Sequence, residues 1–222
     1  MQRSTTLILT AIAGFVDTAT FVGAHGLFAA HVTGNFVVFG AALAKGIEQQ
    51  DYLKLIAFPV FMAFVFIGAT LYGLAGRAKW PLSGFSCVIL LQAILLFVVA
   101  ALASLVPHFL TIDVLAMGIV AAMGLQNSLH RYMPGPMTTV MTGTVMNWSA
   151  SLAETFFGLS KPDTKSPAVK PPTGWMMLCF AGGCVLAGFT TNSFGIPVIL
   201  LPACLLVGCA IYNMKQPQRS AT

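Results

Sequence analysis

Residues 11–35 read AIAGFVDTATFVGAHGLFAAHVTGN, and residues 121–144 read AAMGLQNSLHRYMPGPMTTVMTGT. The second stretch repeats the polar punctuation of the first. Ala11, Gly14, Asp17 and Thr18 correspond to Ala121, Gly124, Asn127 and Ser128, each 110 residues later. Gly26, Thr33, Gly34 and Asn35 then correspond to Gly135, Thr142, Gly143 and Thr144 after a slip of one residue. Small apolar matches arise easily in a greasy chain. A carboxylate matched to its own amide, Asp17 to Asn127, in the middle of an apolar run does not. Duplicated units carrying polar groups at membrane depth are a recurring plan of membrane transporters.

Composition fixes the solvent around this pair of segments. The chain is 57% hydrophobic and only 8% charged, whereas a soluble domain carries about 25% charged residues. It cannot cover itself in water, so the fold class is an all-α integral membrane protein, a polytopic helical bundle of two internal repeats. The net charge of +5 does not point to nucleic acid. The basic residues fall between apolar runs, with no basic helix face and no interleaved aromatics. The cysteines (Cys87, Cys179, Cys184, Cys204 and Cys209) lie inside apolar stretches at spacings that fit no zinc or haem motif, and read as reduced thiols between helices.

Eight apolar segments can be marked: 5–24, 27–44, 55–76, 84–106, 110–129, 137–158, 174–190 and 196–214. Most approach the roughly 20 residues that cross a hydrocarbon core. Pro59, Pro197 and Pro202 read as kinks within them. The second and sixth are the weakest, diluted by His31, Thr33, Asn35, Thr144, Asn147, Ser151 and Glu154. Eight crossings are expected, because 40 residues from Thr5 to Ala44 would span about 60 Å as helix. The expected repeats are then 1–108 and 109–222, four helices each and parallel. The alternative is six crossings, with each weak segment folded back as a re-entrant pair, giving a three-plus-three inverted repeat.

With eight crossings, eight Lys and Arg lie on the side of the termini and Arg77, Lys79 and Arg131 on the other. This bias places both termini in the cytoplasm. The six-crossing charge bias is about as good. The amino-terminal run resembles a short signal peptide, but Asp17 interrupts it and it forms half of the repeat, so a retained helix is expected. The Lys- and Pro-rich stretch 160–173 reads as a cytoplasmic connector.

The chain resembles the YoaK-like bacterial membrane proteins in Gly14-Phe15-Val16-Asp17, His31-Val32-Thr33-Gly34-Asn35, Gly124-Leu125-Gln126-Asn127 and Met141-Thr142-Gly143-Thr144. The resemblance covers essentially the whole chain and implies a small multi-pass protein of the bacterial inner membrane. That family is catalogued as a domain of unknown function, so it supplies no substrate, reaction or site residues.

Function is therefore read from the polar groups. An ionised Asp at a helix centre costs about 2.5–3.5 kcal/mol on insertion scales. Asp17 must face the interior or water, or be protonated, and Asn127 offers an amide that could bond it across a pseudo-twofold axis. Either Asp17 is a proton or cation site, or it is interhelical glue worth about 0.6 kcal/mol. Thr144, Asn147, Ser151 and Glu154, at steps of three, four and three, line one helix face. Thr33-Gly34-Asn35 and Thr142-Gly143-Thr144 each set a glycine between hydrogen-bonding side chains, which suits either close packing or local unwinding. His31 sits one turn before Asn35, and Gln126 adjoins Asn127.

No nucleophile elbow, phosphate loop, dinucleotide fingerprint or paired metal-ligand spacing is present in the sequence. No enzyme activity, cofactor or metal is expected. The expected partners are the lipid bilayer and a small solute or ion, with homo-oligomerisation left open and nucleic acid excluded. A small permease, coupled to protons through Asp17, is the leading expectation. The competing one is a membrane scaffold or sensor whose polar groups only specify packing. A cavity reaching Asp17 or the Thr-Gly elements favours the first, and dry, mutually satisfied polar groups favour the second.

Overall fold

A computed structural model describes residues 3–78, 80–105, 111–132, 135–158 and 173–214. The stretch 160–172 and the tail after Met214 lie outside them. Among the described residues the chain is helical, with eight α-helices and no strand. They are α1 (Arg3–Gly23), α2 (Gly34–Lys45), α3 (Tyr52–Arg77), α4 (Gly84–Leu105), α5 (Ile112–Ser128), α6 (Met141–Phe157), α7 (Thr173–Phe194) and α8 (Leu200–Met214). Short 3-10 turns at Gln49–Asp51, Leu129–Arg131 and Ile196–Ile199 extend α3, α5 and α8. α3 runs through Pro59, whereas Pro197 falls in the 3-10 turn ahead of α8.

Six of the helices, with these extensions, are long and apolar enough to cross a membrane: α1, α3, α4, α5, α7 and α8. The two left out are the two diluted segments. α2 has 12 residues, about 18 Å of helix, and α6 has 17. The count of spanning-length helices is thus the alternative count of six. The length argument for eight fails because residues 24–33 are not helical.

Packing sorts the helices by depth. α1 and α5 are the central pair, with 61% and 67% of their apolar windows buried, against 11% for α3 and 17% for α7 on the periphery. Their buried faces, including Leu9, Ile12, Val16, Ile119, Met123 and Leu125, meet Val88, Ile89 and Leu96 of α4 and Leu206 of α8. α1 packs along α7, and α3 along α5. Glycine permits both approaches. A Cβ at Gly14 would collide with the Phe180 carbonyl, and one at Gly183 with the Ala11 carbonyl. On the other side, Gly124 faces Phe61 and Gly68 faces Ser128. Lipid tails give little hydrophobic drive between helices, so such small-residue contact carries much of the association.

Helix directions follow from named contacts. Ala11 meets Gly183 and Thr18 meets Gly188, so α1 and α7 run parallel. Gly124 meets Phe61 and Ser128 meets Gly68, so α5 and α3 are parallel too. α1 and α5 are antiparallel. Gln126 Nε2 donates to the Leu9 carbonyl at 3.0 Å, while His25 Nε2, just past the end of α1, lies 3.5 Å from Asp113 Oδ1 at the start of α5. Two parallel four-helix halves would set α1 and α5 parallel, so that expectation is corrected.

Candidate functional site

The α1–α2 junction is built on Asp17. His25 and Gly26 adopt left-handed backbone at φ 54° and 71°, and the Gly26 N–H closes α1 on the Phe21 carbonyl at 3.1 Å. This turn sends residues 27–31 back along the helix they have just left. Asp17, 3% exposed, receives them: Oδ1 accepts from the Ala30 N–H at 2.6 Å and the His31 N–H at 3.3 Å. Oδ2 pairs with His31 Nδ1. The His31 ring stands edge-on to Phe180 of α7, centroids 5.6 Å apart. Its side chain is 31% exposed against 5% for Asp17.

Asn35 locks the same junction one turn further on. Its Nδ2 donates to the Phe28 carbonyl and its Oδ1 accepts from the Phe28 N–H, both at 2.8 Å. This two-bond clamp satisfies backbone groups that an irregular stretch would otherwise leave bare in lipid. Thr33 is exposed immediately before α2, and Gly34 opens the helix.

The α5–α6 junction is held without a carboxylate. Asn127 Nδ2 donates to its own helix at the Met123 carbonyl, 3.0 Å away, and Oδ1 accepts from Thr139 Oγ1 at 2.7 Å. Asn127 does not bond Asp17, contrary to the expected pairing; each holds the connection that follows its own helix. Thr139 lies 109 residues after Ala30, the same spacing that separates Thr33 from Thr142. Gln126, buried, donates to the Leu9 carbonyl at 3.0 Å and to Thr138 Oγ1 at 3.1 Å, and accepts from Gln92 Nε2 at 3.0 Å. His130 Nε2 meets both the N–H and the hydroxyl of Thr138 at 3.2 Å.

Both Thr-Gly elements fall at the first turn of a short helix, after an irregular stretch. Local unwinding therefore adjoins each. Close helix packing does not explain Gly143, whose missing Cβ would meet nothing within 4 Å. Thr142 is exposed, whereas Thr144 is 2% exposed and its hydroxyl has no hydrogen-bond partner among the described residues.

The remaining candidates lie elsewhere. Asn147, Ser151 and Glu154 line an open crevice of about 810 Å³ between α6, α7 and the start of α1, together with Arg3, Trp148 and Trp175. Neither Asp17 nor Thr144 lines it. The structure thus distributes the candidate residues over three places: the Asp17 junction, the Asn127 junction and this crevice. Gln92, His130, Thr138 and Thr139 join the second without having been singled out in the sequence. Among the described residues no group of three or more His, Cys, Asp or Glu could hold a metal ion. The five cysteines are free.

Comparison with known proteins identifies the family and agrees that the chain is transmembrane. The chain is 28% identical over 210 residues, 93% of its own length and 92% of the relative's, to the UPF0700 transmembrane protein YoaK of Bacillus subtilis (strain 168). No solved structure matches it. A family model described as Protein of unknown function (DUF1275) matches residues 5–212. A multi-pass transmembrane chain of this extent, matched almost end to end, belongs to the DUF1275 family of proteins of unknown function.

Proposed function

We propose that the protein is a small permease of the bacterial inner membrane, moving an ion or small polar solute with protons handled by Asp17 and His31. One observation carries the reading. A carboxylate enclosed in the bundle is paired with an imidazole that is itself one-third exposed. A buried carboxylate is costly and needs a partner. An imidazole has two ring nitrogens and can relay a proton between solvent and a group that solvent does not reach. Packing alone needs no such pair, as the Asn127 junction, which has no carboxylate, illustrates. The crevice holding Arg3, Asn147 and Glu154 is of ligand-pocket size and supplies a solute vestibule on the side of the termini. No catalytic role is assigned to any of these groups.

A scaffold or sensor role is favoured by a different observation: Asn35, Gln126 and Asn127 are each bonded to backbone. The two readings separate in proteoliposomes loaded with a pH-sensitive dye and offered solutes chosen from the metabolite profile of a deletion strain. A permease gives a solute-dependent proton flux that Asp17→Asn abolishes. A protein whose reconstitution adds no flux for any solute that accumulates or disappears in the deletion strain is a scaffold.

A further inference from the structure

The helix directions point to more than a six-helix count, and we propose an inverted architecture. In it α2 and α6 are re-entrant and enter from opposite faces of the membrane, and Asp17 with His31 is reached from the face opposite the termini. The topological part stands on geometry alone. The assignment of a face to proton entry rests on the permease reading.

Parity makes the first part. α3 runs parallel to α5, and α5 runs antiparallel to α1. α1 and α3 therefore cross in opposite senses, and α3 begins on the face where α1 ends. The segment between them, residues 24–51, makes no net crossing. Independent contacts agree. Phe36 meets Phe58 and Phe39 meets Tyr52, so α2 runs back antiparallel to α3 toward the start of that helix. Asp51, at the end of that hairpin, lies within electrostatic reach of His25, at the end of α1. The same reasoning holds for the second half. α7 is parallel to α1 and so opposed to α5, which leaves α6 no net crossing either.

Exchange of partners makes the second part. The first helix of each half packs on the third helix of the other, α1 on α7 and α5 on α3, while α2 rests on α3 and α6 on α7. A two-fold axis in the membrane plane that carries α1 onto α5 and α3 onto α7 produces this pattern, as in inverted-repeat transporters. Charge agrees. In this arrangement every Lys and Arg except Lys45 and Lys54 falls on the face of the termini, nine of 11, against eight of 11 for eight parallel crossings. The positive-inside rule then places the termini in the cytoplasm and residues 46–51 outside.

Asp17 lies six residues from the end of α1, about 9 Å along the axis. The hairpin carrying His31 comes in from that outer end. Around Asp17 stand His31 from the hairpin and Cys184 from α7. His25, Asp51 with Lys54, and Asp113 lie at the outer mouth. The second junction, with His130 as its titratable group, enters from the opposite face.

The test is single-cysteine labelling with a membrane-impermeant maleimide, in a background lacking the five native cysteines. Gln50→Cys and Ser83→Cys are each compared with Thr222→Cys. The inverted architecture puts Ser83 on the face of Thr222 and Gln50 on the other, while eight parallel crossings give the reverse, which would overturn the proposal. His31→Cys, with Ala30→Cys as the milder variant, should label from the face of Gln50. Labelling of both from the face of Thr222 would overturn the proton-entry assignment alone. None of these readouts requires transport, so a protein that labels as expected and carries no solute would remove the permease reading and leave the architecture standing.

Discussion

The α1–α2 and α5–α6 junctions carry matching polar positions in the sequence, Asp17 with Asn127 and Asn35 with Thr144, and are closed by different chemistry. At the first, a carboxylate takes two backbone N–H groups and an imidazole, and Asn35 clamps Phe28 by two further bonds. At the second, amides, hydroxyls and the His130 imidazole serve without a carboxylate, and Thr144, at the position that aligns with Asn35, has no partner for its hydroxyl among the described residues. Holding an irregular segment against a helix does not require charge, since the second junction does without a carboxylate. The charge at the first calls for another explanation, and proton chemistry supplies one.

Removal of the charged member should have the largest effect. Asp17→Ala leaves the Ala30 and His31 N–H groups without their acceptor and His31 without its partner. A buried backbone donor left without its acceptor costs about 1–3 kcal/mol, and two are left here, so a marked fall in melting temperature and yield in detergent is expected. Asn127→Ala removes the bonds to Thr139 and to the Met123 carbonyl and should cost about 1–2 kcal/mol. Equal losses in the two variants would end the distinction between the junctions.

Next in size is the pair one turn further on. Asn35→Ala deprives the Phe28 N–H and carbonyl of partners, at about 1–3 kcal/mol for a buried polar group left unsatisfied. Thr144→Val, at the position that aligns with Asn35, removes a buried hydroxyl with no partner among the described residues, so stability should stay within about 0.5 kcal/mol or rise. A destabilised Thr144→Val would show that this hydroxyl has a partner in the membrane, and the second junction would then be as closely specified as the first.

These comparisons also show what the sequence could and could not disclose. Asp17, Asn35, Gln126 and Asn127 stand out because a polar side chain in an apolar run is itself the signal. Their partners do not, since Ala30, Phe28 and Leu9 contribute backbone groups that every residue carries. Thr138 and Thr139 precede the second Thr-Gly element and could have been found by extending the repeat back to the position of Ala30. Gln92, a lone amide in the apolar run of α4, carried a comparable signal. Helix direction was not legible, because hydropathy is the same read either way and the charge counts of the two topologies differ by one residue. The preference for eight crossings assumed that residues 24–33 continue as helix, and the turn at His25 and Gly26 breaks that assumption.

The smallest change in structure is the one that isolates the proton. Asp17→Asn keeps an oxygen for the Ala30 N–H and swaps the other for an amide that can donate to a neutral His31 ring. The junction then resembles its counterpart at Asn127, and stability should shift by about 1 kcal/mol at most. An amide neither takes up nor releases a proton near neutral pH, so the pH dependence of solute flux should flatten although the protein folds and inserts. Asn127→Asp is the reciprocal variant. It places a carboxylate where Thr139 Oγ1 can still donate, with no imidazole bonded to it, so it should insert less well and confer no new coupling. If Asp17→Asn retains the full pH profile, the carboxylate is an alternative acceptor and nothing more, and the two junctions differ in charge without differing in role. If instead the profile is lost at unchanged stability, the difference between the halves is functional, since packing has been held constant and only the proton has been removed.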